Sequence, residues 1–465
     1  MSAQPPQPIL RGASQAAFLT REERLQAGKR LRRSQPREAH GSWRTPPERR
    51  DPIAVLEESN HDRLHALIPI RYGRMLRSPF TFLRGSAALM AHDLASTPTL
   101  GISVQACGDC HLLNFGLFAT PERNLVFDIN DFDETHPAPW EWDIKRLATS
   151  FVIAGQDRRL ADEDCEAIAR ECVRSYRVHL RRYSQMSPVA IWYSQLDEER
   201  LIAMAPDSQA RQFRKAMARK ARQRVIDNVV PKFVSTVGGR HRLVEQPPIL
   251  YRPHIEELEA TIREGLESYR DSLADERRVL FDRYRLDDVA VKVVGIGSVG
   301  TRCLVALFFS EENHPLILQF KEARPSVLEP YTHASHYSNQ GQRVVVGQRL
   351  TQSSSDLFLG WLRGRSGHDF YVRQLRDMKM SLPIDGLSAV QLKRYAEICG
   401  WTLARSHAKS GDGTTISGYL GKGDAFDRAL GRFALAYADQ TERDHAALVE
   451  AVNQGRIEAV IEADL

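Results

Sequence analysis

Cys107-Gly-Asp-Cys-His-Leu-Leu-Asn114 puts a carboxylate, Asp109, five residues before an amide, Asn114. After a short turn, Leu125-Val-Phe-Asp-Ile-Asn-Asp-Phe-Asp133 supplies Asp131 and Asp133. Phosphoryl transfer needs such a set: one carboxylate to receive a hydroxyl proton, and an amide plus a second carboxylate to hold Mg²⁺. The same stretch admits other chemistry. Cys107-Gly-Asp-Cys-His111 matches the attachment pattern for c-type haem, and its two thiols could form a redox pair or half of a zinc site. No second CxxC accompanies it, and six cysteines in 465 residues fit reduced thiols better than a disulfide framework.

A second chemical segment lies far downstream. Gly295-Ile-Gly-Ser-Val-Gly300 fits GxGxxG. In a dinucleotide-binding fold the third glycine opens a helix. Here Thr301-Arg-Cys-Leu-Val-Ala-Leu-Phe-Phe309 follows, a β-branched and apolar run without a helical polar face. Strand, glycine loop and strand therefore make a hairpin whose backbone, with Ser298 at its tip, could lie close against nucleotide phosphates. Leu316-Ile-Leu-Gln-Phe-Lys321 ends on a lysine that is costly to bury without an anion. The bland alternative is a lysine snorkelling at a strand end. Glu329, and after it Glu322, are the carboxylates expected to hold Lys321 when no phosphate is present.

Around these segments the elements read as helical, then β-rich, then helical. Residues 1 to 50 carry eleven Lys/Arg against four Asp/Glu, which reads as a basic, poorly ordered arm. Residues 51 to 285 read as a helical lobe containing the Asp109 and Asp131 loops and a helical insertion. Ile168, Cys172, Tyr176 and Leu180 form one helical stripe, and Ile255, Leu258, Ile262 and Leu266 another. Residues 286 to 385 read as a β-rich unit, with Val289 to Val294, Cys303 to Phe309, Leu316 to Phe320 and Arg343 to Val346 as strands. Residues 386 to 465 return to helix and are expected to pack on the helical lobe. Beyond the arm, 53 basic residues face 55 acidic ones, so the body is near neutral and a nucleic-acid clamp is not expected. The seven basic residues between Arg211 and Arg224 read as a solvated helix face. No apolar run could cross a bilayer, and the Pro-rich start lacks the apolar core of a secretion signal. A cytoplasmic location is expected.

With both chemical segments in view, the chain resembles the protein-kinase-like superfamily, in its aminoglycoside and choline phosphotransferase branch. The matching pieces are Cys107-Gly-Asp109-Cys-His111-Leu-Leu-Asn114, Asn130-Asp131-Phe132-Asp133 and Trp140-Glu-Trp-Asp143-Ile-Lys-Arg-Leu147. Over most of residues 50 to 460 it also resembles the bacterial domain-of-unknown-function 2252 family, on Gln105 to Asp143 and Gln319-Phe-Lys-Glu-Ala323. The first resemblance implies an α+β, two-lobe kinase-like fold using ATP and Mg²⁺. Asp109 would be the catalytic base or hydroxyl-orienting group, with His111 beside it. Asn114 and Asp131 would bind the metal, with Asp133 an alternative. Asp143 would brace the loop, and Gly295, Gly297, Ser298, Gly300 and Lys321 would cover and clamp the phosphates. Two substitutions depart from that pattern: the first histidine of the loop is Cys107, and the metal strand reads Asp-Phe-Asp. The order departs too, since Lys321 follows Asp109 by 212 positions (321 minus 109) instead of preceding it. A circular permutation, with the catalytic lobe first, accounts for the inversion.

The function so implied is phosphoryl transfer to a hydroxyl of a small molecule or a protein. Nucleotidyl transfer, an idle nucleotide-binding scaffold, and a thiol or metal protein built on Cys107, Cys110 and His111 are the alternatives.

Overall fold

The computed structural model describes residues 19–205, 207–224, 233–238, 240–252, 255–375 and 378–461. It is a mixed α+β fold with open sheets. The largest sheet has six antiparallel strands in the order Gly360–Arg363, Asp369–Gln374, Pro315–Ala323, Cys303–Ser310, Tyr284–Lys292 and Leu250–Tyr251. Strand Cys303–Ser310 is buried along its whole length because both faces are covered. Leu304, Ala306 and Phe308 pack with Ile262, Tyr269 and Phe281, while Val305, Leu307 and Phe309 pack with Leu243 and Leu250. A strand covered on both sides must be apolar at every position, which explains its unbroken hydrophobic run.

Two assignments made from the sequence change here. Helices Ile255–Asp271 and Asp275–Phe281 belong to this sheet and not to the helical lobe, so the β-rich unit begins upstream of residue 286. Arg343 to Val346 is not a strand. It lies in helix Gln340–Thr351, capped by the Asn339 side chain, with Val344 and Val345 facing the core. Tertiary burial outweighs the β preference of three consecutive valines.

The helical body is built around Trp140–Gln156, which is buried from Trp140 to Gly155. Asp162–Tyr183, Ala389–Ser410 and Ala425–Asn453 surround it, and their apolar faces form one core with the small strands Phe115–Ala119 and Leu125–Ile129. Met380–Ser381, immediately after the six-stranded sheet, pairs with Phe115–Ala119 and joins the two units.

The expected disordered arm is also revised. Residues 1 to 18 lie outside the described residues, but Arg21–Ser34 is a helix with a capping box at Thr20. It crosses helix Gly413–Leu420 where Gly28 meets Gly418; a methyl on either would overlap the opposing backbone. Arg32 and Arg37 donate to the carbonyls of Gly418, Tyr419 and Leu420 at that helix's C-terminus. Two of the segment's basic side chains thus cap carbonyls, and Arg24, Arg49 and Arg50 pair with carboxylates.

Candidate functional site

Strand Ser103–Ala106 delivers the chain into the loop carrying Asp109, and helix Trp140–Gln156 braces that loop. Asp143, in the helix's first turn, accepts the backbone N–H groups of Cys107 (2.8 Å) and Gly108 (3.0 Å). Gly108 sits at φ 80°, where a Cβ would overlap the Glu134 carbonyl, so only glycine fits. One turn along the helix, Arg146 donates Nε (2.8 Å) and Nη2 (2.5 Å) to Asp109 Oδ1. The carboxylate is clamped through one oxygen. Its other oxygen, Oδ2, lies 3.8 Å from His111 Nε2. Burial pushes the His111 pKa down to about 3, so the ring is neutral at physiological pH. His111 Nδ1 accepts the Leu113 N–H (3.2 Å), which leaves the ring proton on Nε2, facing Asp109.

Asn114 donates Nδ2 to the Asp109 carbonyl (2.7 Å), and its own carbonyl accepts the Asn130 N–H (2.7 Å). That second bond ties the Asp109 loop to the Asp131 loop. The three acidic residues of the following segment then separate by role. Asp128 is fully buried between Arg405 (2.7 Å) and Ser353 (2.8 Å) and is structural. Asp133 accepts the Tyr371 hydroxyl at Oδ1 (2.7 Å) and the Ser298 hydroxyl at Oδ2 (3.1 Å), and forms an ion pair with Lys321. Asp131 has no ion pair of its own among the described residues. Burial works against its charge, but Lys321, Arg373 and Lys379 outweigh burial and lower its pKa. Asp131 is thus the ionised carboxylate with the fewest commitments.

Lys321 is buried on strand Pro315–Ala323, opposite Cys303 on one side and Tyr371 on the other. Burial opposes its charge too; Asp131 and Asp133 overcome it and raise its pKa, so the ammonium persists. Its carboxylate partner is therefore Asp133, not Glu329 or Glu322. Glu322 is taken by Arg302, through the backbone N–H (2.8 Å) and the guanidinium (3.2 Å). Glu329 lines the same cleft on the short turn Glu329–Tyr331. The helix after the lysine strand, Gln340–Thr351, carries no acidic residue, which is why the partner comes from the Asp133 loop.

The glycine loop bridges strands Tyr284–Lys292 and Cys303–Ser310 and turns at Gly295 and Gly300, both at positive φ. It lies directly over the Asp109 loop. A Cβ on Gly297 would be 3.2 Å from the Arg84 carbonyl and 3.9 Å from Asp109 Oδ2. Arg63 donates to the Val299 carbonyl (2.5 Å) and Arg74 to the Gly295 carbonyl (2.5 Å). Asp109, His111, Asn114, Asp131, Asp133 and the glycine loop all line one cleft of about 1150 Å³.

Cys107, Cys110 and Asp143 offer ligand atoms within 4.8 Å of one another, without His111. Asp143 is already committed to two N–H groups, and burial pushes both thiols up, Cys110 to about 11. Protonated thiols are poor metal ligands.

Three participants escaped the sequence. Arg146 could have been found, since it sits three residues after Asp143 on one helical face. Tyr371 and Arg84 carry no local signal; Arg84 reaches the cleft from helix Pro79–Gly85, where Asp109 and Asp131 are the carboxylates that most favour its charge.

No curated protein and no solved structure matches the chain. A family model described as an uncharacterized protein conserved in bacteria, domain of unknown function 2252, matches residues 63–451. That span is most of the sequence, and the chain belongs to this bacterial family.

Proposed function

We propose that this protein is an ATP- and Mg²⁺-dependent phosphotransferase with a circularly permuted, kinase-like two-lobe fold, acting on a hydroxyl acceptor. The observation that carries the reading is the ion pair of buried Lys321 with Asp133, which itself lines one cleft with Asp109, Asn114 and Asp131, although 212 residues separate Lys321 from Asp109. The sheet supports it as well. A glycine hairpin joins two neighbouring strands, the lysine sits on the next, and a helix follows, which is the order of parts in a kinase nucleotide lobe.

The residues fit the group they would hold. Asn114 and Asp131 offer hard oxygen donors of the kind Mg²⁺ takes, and Lys321 offers a buried ammonium for phosphate oxygens. Asn114 and Asp131 would hold the Mg²⁺, whose charge would offset that developing on the phosphate. Asp109, oriented by Arg146, would present Oδ2 to the acceptor. It would receive the hydroxyl proton as the acceptor oxygen bonds the γ-phosphorus and the β,γ-bridging oxygen leaves with ADP. His111, a neutral Nε2–H donor, would keep that carboxylate oriented. Ser298 and Lys321 would have to exchange Asp133 for phosphate as the glycine loop lifts.

The test is nucleotide binding followed by thermal unfolding. With Mg·ATP at about 100 Kd the fold should gain roughly 2.7 kcal/mol. Lys321→Ala and Asp131→Ala are each expected to lose most of that gain. An unshifted wild type in the presence of Mg·ATP would end the reading.

A further inference from the structure

The cleft that holds Asp109 is also lined by five arginines; Arg50, at the exposed rim, pairs with Glu58, and the other four are Arg63, Arg71, Arg84 and Arg324. Three buried arginines elsewhere pair with carboxylates, Arg49 with Asp93 and Asp444, Arg177 with Asp427 and Arg405 with Asp128, whereas buried Arg343 spends its donors on three carbonyls and the Gln340 side chain. Among the described residues none of Arg63, Arg71, Arg84 and Arg324 makes an ion pair. Their hydrogen bonds go to neutral oxygens. Arg63 donates to the carbonyls of Ser59 (3.1 Å) and Val299 (2.5 Å), and Arg324 to the Ser59 carbonyl (3.2 Å). Arg71 donates to the Gly85 carbonyl (2.7 Å) and to Asn60. Arg71 is only 2% exposed, and its Nε and that of Arg84 are buried without a partner.

Such an arrangement is costly. After burial, the charges of Arg71 and Arg324 are what most push Arg63 down, and Arg324 does the same to Arg71. The carboxylates closest to offsetting this are already engaged, Glu134 with the Val327 N–H (2.8 Å) and Glu322 with Arg302. A bound anion would take the unused donors and relieve the repulsion, and a guanidinium fork suits phosphate and carboxylate oxygens alike.

We infer that this part of the cleft receives an anionic group of the acceptor, so that the substrate is a small hydroxyl compound already bearing a phosphate or a carboxylate. The inference rests on the phosphotransferase reading, since it takes the other end of the cleft to be the nucleotide's. A cleft of about 1150 Å³ that must also admit nucleotide phosphates leaves room for a small molecule.

The test titrates inorganic phosphate, and separately acetate, at ionic strength held constant with chloride. Thermal unfolding is followed for the free protein and for protein saturated with Mg²⁺ and a non-hydrolysable ATP analogue. Phosphate or acetate is expected to stabilise the wild type in both states, and whichever acts more strongly identifies the group. Arg324→Gln, which removes a side chain with one protein hydrogen bond, is expected to weaken that anion about tenfold and leave the nucleotide shift intact. If Arg324→Gln does not fold, Arg324→Lys keeps the charge without the fork, and a loss in the same direction is expected. Equal anion effects in wild type and variant would overturn the inference, as would an anion effect that vanishes once nucleotide is bound, because the arginines would then belong to the nucleotide. Arg324-dependent anion binding without any nucleotide shift would instead remove the phosphotransferase reading itself.

Discussion

Replacing Asp109 with Asn keeps its shape and removes its capacity to take a proton, so Mg·ATP binding is expected to survive while phosphoryl transfer falls by a factor of about 10² or more. Binding and transfer lost together would make Asp109 a structural partner of Arg146 only. His111 offers a pH test. Its folded pKa, about 3, lies below the ordinary histidine value of 6.5, so between those limits the unfolded chain binds more protons than the folded one. Stability therefore rises with pH through that window and is lost on acidification, by at most about 1.4 kcal/mol per pH unit from this group. His111→Gln is expected to flatten the fall in Tm between pH 6.5 and 4, measured against wild type. An unchanged slope would mean that this ring is not held neutral. At this scale much of the site was legible: Asp109, Asn114, Asp131 and Lys321 are each marked by type and spacing. The partner of Lys321 was not, because the helix after the lysine strand, Gln340 to Thr351, holds no carboxylate and only the folded chain brings Asp133 to the lysine.

The Asp109 loop owes its shape to a helix that lies after it in sequence. Asp143→Ala would strand the buried N–H of Cys107, worth about 1–3 kcal/mol when unsatisfied, and the half-buried N–H of Gly108, which water can partly satisfy. A loss of roughly 1–4 kcal/mol in urea unfolding is expected, against a much smaller loss for Asp143→Asn, which keeps one acceptor. A near-neutral Asp143→Ala would show that the loop holds its shape without the helix. The glycine loop is the second element at issue. Its tip is fastened at Ser298 to Asp133 and crosses the Arg84 carbonyl. Sequence alone could place this loop between two strands but not over Asp109. Period-two and period-3.6 patterns report which face of an element is buried, not which element buries it. That limit also explains the misassigned Arg343 to Val346, where helix burial and strand propensity call for the same valines.

At the scale of the whole chain, residues 19 to 50 act as a clasp. Arg49 bonds Asp93 (2.8 Å) and Asp444 (2.6 Å), joining helices Ala87–Ala95 and Ala425–Asn453. All three groups are buried, and removing the cation leaves two carboxylates with less than their share of compensation. Arg49→Ala is expected to cost about 3–5 kcal/mol by denaturant unfolding, and a chain starting at Asp51 more than that. A truncated protein as stable as the full one would show that the segment merely rests on the surface.

The amino-acid order by itself singled out Asp109, Asn114, Asp131, the glycines and Lys321, because they sit in short segments whose spacing is local, and it fixed that the glycine loop and Lys321 follow the Asp109 loop in the chain. Tertiary structure alone decided that the halves share one cleft, that Asp133 and not Glu329 neutralises Lys321, and that four of the five arginines lining that cleft form no ion pair among the described residues. The physical reason is range. Spacing and periodicity act over a few residues, whereas an ion pair between positions 133 and 321 exists only once burial has brought a β-sheet and a helical body together.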